Sequence, residues 1–346
     1  KRQHLEHENS NFDETLAQLK QSFGGSVTIA QYPVNPGLGF DAIIDLLKMK
    51  MLKFSDKDGK AEILDIPDDE KGKAEELQAA MIEDLAANDE ALREKYFENG
   101  TLTEEEIIQG LKIGLKTRGL FPVLCINAKQ NMGVNRLMEF IVNNVPAPDE
   151  MPGVKTTKDK ELTCKASDPV SAFVFKTTIE SHLGEVSFFK VYGGEITEGM
   201  DLINSNNSGK ERLSQLFTFA GKNREKLDKI VAGDIGATIK LKSTKTDDTL
   251  NSPKNSDDVI LPIDFPEPKF RTAIKAINQA DDEKMGVALN ELHRMDPTIH
   301  AGYSKELRQI IMQGQGELHL NIVKWHLENI EKIQVEFITP KIPYRE

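Results

Sequence analysis

Phe121-Pro122-Val123-Leu124-Cys125-Ile126-Asn127-Ala128-Lys129-Gln130-Asn131-Met132-Gly133-Val134 decides the fold of the first part of this 346-residue chain. The apolar run 121–126 reads as a buried strand, the polar residues after it as a turn, and the periodic apolar residues beyond as a helix over about 134–144. Strand, loop and helix in that order belong to an α/β layer domain. Upstream, Phe12, Leu16, Leu19 and Phe23 keep a helical spacing that Gly24-Gly25 ends. Residues 27–32 (VTIAQY) predict a strand. Long charged helices are expected at about 71–97 and 103–117, the second opened by Thr103 with Glu106 three residues later, a capping-box pattern. Pro146 and Pro148 close the unit and mark a linker.

Beyond 148 the pattern changes twice. Short strands at 171–176, 185–192, 201–203 and 238–241 are separated by turns such as Gly193-Gly194 and Asn206-Asn207-Ser208-Gly209. Regular short strands with that turn chemistry predict a closed β-barrel over 149–264. Residues 265–341 then read β-α-β-β-α-β. A strand over 270–277 is followed by a helix that Asp281 caps and Asp296-Pro297 stops. Strands near Ile299 and over 307–312, a helix from Glu317 to about Asn329 opened by Gly316, and a strand over 332–338 complete it. That order is a ferredoxin-like sandwich.

Composition removes several classes. Charged residues make up 29% and hydrophobic ones 38%, a balance of globular rather than disordered chains. No apolar run reaches the ~18 residues of a membrane span, and two cysteines exclude a disulfide framework. The net charge of -12 is concentrated in residues 1–150, which hold 27 acidic and 17 basic side chains; the rest is nearly neutral. An acidic total therefore leaves room for a local basic patch, and Lys210, Arg212, Lys222, Arg224, Lys226 and Lys229 form a candidate. A solvated barrel surface explains the same residues.

Metal chemistry finds no support, because neither C-x-x-C nor H-E-x-x-H occurs. His4 and His7 read as a frayed terminus. Asp56-Lys57-Asp58-Gly59 lacks the remaining ligands of a calcium loop and reads as a turn. Cys125 lies inside an apolar strand and reads as core packing.

The triplet Asn127-Ala128-Lys129 after a strand resembles the last guanine-binding loop of GTPases: backbone N–H groups at a strand end can face the base carbonyl, and a small Ala lets the ring approach. Elsewhere, Gly314-Gln315-Gly316-Glu317-Leu318-His319-Leu320, Phe265-Pro266-Glu267-Pro268 and Glu283-Lys284-Met285-Gly286-Val287-Ala288-Leu289 closely resemble bacterial elongation factor G. Phe188-Phe189-Lys190-Val191-Tyr192-Gly193-Gly194, Asn223-Arg224-Glu225 and Ala232-Gly233-Asp234-Ile235 extend the likeness in the same order. So do Glu94-Lys95-Tyr96 and Leu102 to Glu106 within the acidic helices. The resemblance implies a multi-domain α/β and β protein. Residues 1–148 would be the rear part of a P-loop GTPase-type domain with a helical, acidic insertion at about 33–118. Residues 149–264 would be the translation-factor β-barrel and 265–341 the ferredoxin-like third domain, with 342–346 beginning the next. It also implies GTP or GDP with Mg²⁺ in the intact family, a monomer in the cytoplasm away from membranes, and the ribosome, RNA and protein, as partner.

Departures from the family are equally specific. No G-x-x-x-x-G-K-[ST] occurs, so a phosphate-holding loop is missing and the chain as given is expected to be inactive as a GTPase. The switch segments and the fourth and fifth domains are missing as well, as in a central fragment. The guanine-reading loop has its best match at Gln3-His4-Leu5-Glu6, where Glu6 would supply the carboxylate one methylene further out than the family's Asp. Asn127 stands where the family usually has Ser. The base-site candidates are therefore Asn127, Ala128, Lys129 and Glu6, with a degenerate nucleotide site as the alternative. His319 reads as packed or exposed rather than catalytic. Gly314 and Gly316 read as allowing a tight passage from strand to helix.

Overall fold

The computed structural model describes residues 5, 8, 10–55, 59–180, 183–221 and 223–342. The chain divides into two compact units, Lys1–Met151 and Pro152–Glu346. In the first, the strand Val27–Ile29 pairs in parallel with Phe121–Val123. The expected single strand over 27–32 is in fact two. At Ala30 the chain leaves the parallel pair, and Gln31–Pro33 begins a four-stranded antiparallel meander with Ala42–Asp45, Lys50–Phe54 and Ala61–Leu64. Ala30 serves both sheets, its N–H bonding the Val123 carbonyl at 3.1 Å and its carbonyl the Leu46 N–H at 3.0 Å.

Five helices cover these sheets: α1 (Phe12–Phe23), α2 (Asp68–Ala86), α3 (Glu90–Asn99), α4 (Glu104–Thr117) and α5 (Val134–Asn144). Asn11 caps α1 through Glu14 N–H, and Gly24 ends it at φ 70°. The long helix expected at 71–97 is broken, because Asp89 turns to extended backbone and accepts the Leu92 N–H at 3.0 Å as a new N-cap. The stretch 33–118 is thus not purely helical: three of the meander's strands lie within it. Thr103 and Glu106 do form the capping box. Lys95 and the Thr103 backbone N–H together draw the Glu106 carboxyl down to about 2. Tyr32, Ile44, Leu46, Met81, Leu85, Leu111 and Phe140 are the centre of the apolar core.

In the second unit an eight-stranded antiparallel sheet runs in the order Gly209–Leu213, Met200–Asn204, Thr249–Asn251, Ser171–Glu180, Gly184–Gly193, Ile235–Ile239, Leu216–Ala220, Asn223–Leu227. A ribbon of Glu195–Thr197 with Lys229–Val231 completes it. Leu213 and Leu216 are joined only by Ser214-Gln215, yet their strands stand first and seventh of eight in that order. Such a short link spans at most ~10 Å, so the sheet must curl until its first strand comes near its seventh. One core, with Val174, Phe189, Ile196, Leu202, Leu213, Leu216 and Ile230, fills the inside. Among the described residues the two outermost strands do not pair, while Leu213 and Leu216 join the same core. Gly193-Gly194 is sterically required, since a Cβ on Gly193 would stand 2.7 Å from the Pro169 carbonyl oxygen and Gly194 has φ 71°.

The remaining residues form a four-stranded antiparallel sheet in the order His300–Ser304, Gln309–Gly314, Phe270–Ala276, Val335–Ile338. Helices α6 (Asp282–Met295) and α7 (Glu317–Asn329) bury Met285, Leu289, Leu292, Leu320, Val323 and Leu327 against it. Asp281 does not cap α6 with its side chain. A short 3₁₀ turn over Gln279–Asp281 precedes the helix, and Asn278 accepts the Ala280 N–H there.

Candidate functional site: the base loop and the strand-to-helix turns

Asn127 ends the strand-like run and closes a four-residue loop. Its N–H bonds the Met132 carbonyl at 2.9 Å, and the Met132 N–H bonds back at 3.0 Å. Inside the loop the Asn127 Oδ1 accepts the Gln130 N–H at 3.1 Å, and its Nδ2 donates to the Gln130 Oε1 at 2.6 Å. Asn127 is buried while Ala128 and Lys129 are exposed, so the three candidates share a loop but not an environment. The N–H groups of Ala128 and Lys129 have no acceptor among the described residues, which leaves both free to bind an outside carbonyl. Gly133 then turns the chain into α5 at φ 73°; a Cβ there would stand 2.5 Å from the Cys125 carbonyl oxygen.

A buried polar chain fixes this loop from behind. The Cys125 N–H donates to Gln31 Oε1 at 3.1 Å, and Gln31 Nε2 donates to Asp45 Oδ2 at 2.8 Å. Arg136 of α5 pairs with the same Oδ2 at 2.6 Å, with side-chain exposures of 9% for Arg136 and 0% for Asp45. Asp45 Oδ1 also accepts the N–H groups of Leu47 and Lys48 at 3.1 Å. Burial opposes charge on Arg136, but the Asp45 carboxylate outweighs it and holds the guanidinium protonated. Lys48, with Arg136, holds Glu139 below the usual carboxylate range. None of these residues carries a sequence signal: a lone Arg on a helix and a lone Asp near Lys48 read as surface. Cys125 is buried in the core, which pushes its thiol up to about 12 and leaves it unreactive.

Glu6 lies outside the described residues, as do Gln3, His4, His7, Asp56 to Asp58 and Pro343 to Glu346. Leu5, the described member of the Gln3-His4-Leu5-Glu6 segment, packs on the apolar cluster of Phe40, Ile43, Leu52, Phe54, Cys125 and Met132. Leu5 and the loop after Asn127 thus border one cluster. Among the described residues no group of three His, Cys, Asp or Glu side chains could hold a metal ion. No described helix is long and apolar enough to cross a membrane.

Three of the six basic candidates on the barrel are paired with acids. Arg212 pairs with Asp201, Lys226 with Glu198 at 2.8 Å and Lys229 with Glu195 at 3.0 Å. Arg224 lies 5.0 Å over the Phe217 ring, and Lys222 lies outside the described residues. In the third sheet the turn Gly314-Gln315-Gly316 is tight for one glycine only. A Cβ on Gly314 would stand 2.7 Å from Leu320 Cδ2, whereas Gly316 is extended with nothing within 4 Å. Leu320 is fully buried and Leu318 76% exposed, so they face opposite sides. His319 is half-buried and positions the turn: its Nδ1 accepts the Gln315 N–H at 3.1 Å, so its Nε2–H donates to Asp296 Oδ2 at 3.1 Å.

Residues 169–253 match the sequence model of elongation factor G domain 2, and residues 265–339 that of elongation factor G domain III. The crystal structure of a protein from Thermus thermophilus matches this chain with a TM-score of 0.79 at 24% identity, a likeness of fold. The match covers 97% of this chain and 48% of that one, so the chain spans about half the length of the structure it resembles. Residues 169–253 and 265–339 thus resemble, in succession, the second and third domains of elongation factor G.

Proposed function

We propose that the chain is the central part of an elongation-factor-G-like translation factor that works on the ribosome, driving translocation or recycling with GTP when intact. The observation that carries this reading is the collinear pair of family domains behind an α/β unit that ends in a strand, base-type loop and helix. The first unit supports its assignment as part of a larger GTPase-type domain. Helix α5 buries Arg136, Phe140 and Asn144 while Met138, Ile141 and Val142 are exposed, and a parallel sheet of two strands is too small to stand alone. The base end fits guanine, with the free N–H groups of Ala128 and Lys129 offered to its carbonyl and the small Ala beside them. Asn127 does not touch the base in this reading; it holds the loop shut through Gln130. When bound, GTP supplies the free energy of phosphoryl transfer, and the residues of this chain contribute only base recognition.

Ribosome binding is tested by co-sedimentation across a salt series. Phosphate contacts from the barrel and third domain predict affinity falling steeply with salt; salt-independent association, or none, would sink the proposal. Deleting Asn127 to Lys129 from the intact protein should abolish binding of a fluorescent guanine nucleotide. Unchanged affinity would mean that the base lies elsewhere. A second reading, a ribosome-binding factor that acts without hydrolysis, is favoured by the unusual Asn127 closed on Gln130. Nucleotide-independent ribosome binding by the intact protein is its signature.

A further inference from the structure

Among the described residues the barrel and the third domain share no apolar core: every member of one cluster lies within 170–250 and of the other within 274–337. Helix α6 lies close to the barrel strand Ser171–Glu180, and the hydrogen bonds and ion pair across the junction gather largely at one residue. Arg294, in the last turn of α6, reaches across to Glu185 of the barrel, with Nη2 at 3.0 and 2.9 Å from the two carboxylate oxygens. The same nitrogen stands 3.5 Å from the Thr244 carbonyl oxygen, and Thr246 Oγ1 donates to the Arg294 carbonyl at 3.3 Å. That carbonyl is one of the orphan acceptors at a helix C-terminus, so the barrel satisfies what the helix leaves open.

The barrel side of the junction is set in advance. Buried Glu211 accepts the Lys242 and Ser243 N–H groups at 2.8 Å and the Thr244 hydroxyl at 2.9 Å. Buried Asp248 accepts the Lys245 N–H at 2.9 Å and Asn204 Nδ2 at 2.8 Å. Asp247, at φ 80°, takes the Ile263 N–H from the connecting segment at 2.7 Å. The loop 242–248 is therefore shaped by the barrel alone, and the third domain docks on it. A cavity of about 520 Å³ beside the contact, lined by Asn206, Lys245, Thr246, Phe265, His293 and Arg294, leaves the junction incompletely packed.

We propose that Arg294 is a latch: its bonds to Glu185 and Thr244, with the return bond from Thr246, hold the third domain against the barrel through a junction built to release. Polar, cavity-flanked contacts without a shared apolar core come apart at low cost, as domain interfaces that move do. Burial raises the Glu185 carboxyl above its usual range, Arg294 opposes this, and Glu211 and Glu291 add to it. Removing the guanidinium thus leaves Glu185 of the barrel facing Glu291 of α6 without its cation, which disfavours docking.

The test is a distance distribution by pulsed electron resonance in the 346-residue chain. Spin labels go on cysteines introduced at exposed Ser208 and Lys305, the native Cys125 and Cys164 being buried. Wild type should give one narrow distance. Arg294→Met should raise the undocked population about tenfold, and adding Glu185→Gln should undo part of that rise. Circular dichroism and Trp325 emission show that both domains stay folded. A folded Arg294→Met that keeps the wild-type distribution overturns the latch. Should Arg294→Met not fold, Thr246→Val decides: broadening supports the latch, and an unchanged distribution refutes it.

Discussion

The loop 125–134 and the turn 314–317 both carry the chain from a strand into a helix, yet opposite chemistry holds them. The first rests on a buried ion pair: Asp45 and Arg136 meet at 2.6 Å, and Gln31 ties them to the Cys125 N–H. The second rests on packing, with Gly314 against Leu320 and one imidazole bridging Gln315 to Asp296. A charge network fixes direction sharply but fails badly when one member is lost. A packed turn yields by degrees. The loop 127–132 offers the N–H groups of Ala128 and Lys129 outward, whereas the turn 314–317 seats a helix.

The contrast is most exposed at Arg136. Arg136→Met leaves Asp45 buried, charged and without its cation, and should cost about 3–5 kcal/mol, read as a lowered urea midpoint for the first unit. Adding Asp45→Asn should recover part of the loss. A cost below about 1 kcal/mol would mean that water already reaches the pair. Between the two extremes stands Glu211, a buried carboxylate held by N–H and O–H donors instead of a cation. Burial alone would raise its pKa, but the Lys242 and Ser243 N–H groups with the Thr244 and Ser243 hydroxyls hold it below the usual 4.5. Its contribution is thus full above pH 4.5 and is lost as pH falls through the depressed value. Glu211→Gln sets an NH₂ against those donors, should cost about 1.5–3 kcal/mol at neutral pH, and should flatten the acid limb of barrel stability. A mutant that denatures in acid with the wild-type profile would remove Glu211 from the account. Gly314→Ala drives a Cβ into Leu320 and should cost about 1–3 kcal/mol, while Gly316→Ala, in open space, should be nearly neutral. Equal effects from the two would mean that the turn is not held by packing.

The two turns also differ in how far sequence alone reveals them. Gly133 and Gly314 stand where strand and helix patterns meet, and the helices from Val134 and Glu317 begin where periodicity places them. What holds the first turn leaves no trace in the pattern. Asp45 and Arg136 are 91 residues apart, and a buried charge looks like a surface one until its partner is known. Helix α5 misleads in the same way, since its apolar residues Met138, Ile141 and Val142 face out while Arg136 and Asn144 face in. The stretch 27–32 reads as one continuous strand because all of it is buried and no turn residue marks the sheet change at Ala30. The meander strand Lys50–Phe54 does alternate, with Leu52 and Phe54 in and Lys53 out, but the charged helices after it dominate the segment. At the loop 127–132 the residue types suggest a base site. They do not reveal that Asn127 turns inward, because only the Gln130 side chain three residues on makes that conformation favourable.

The smallest expected effect separates the two roles of His319. Its Nδ1 serves the backbone of the turn, and its Nε2 serves Asp296, which Thr298 also holds through N–H and hydroxyl at 2.9 and 2.6 Å. Losing the Asp296 contact therefore orphans nothing, whereas losing the Gln315 contact leaves a half-buried N–H unpaired. His319→Asn places an amide oxygen near the Nδ1 position and should retain most stability. His319→Gln extends its amide toward Asp296 instead, gives up the turn, and should cost about 1 kcal/mol more. Thermal unfolding of the two variants side by side measures the difference. The reverse order would make the Asp296 bond the important one, and the third-domain turn would then depend, like the base loop, on a charged partner.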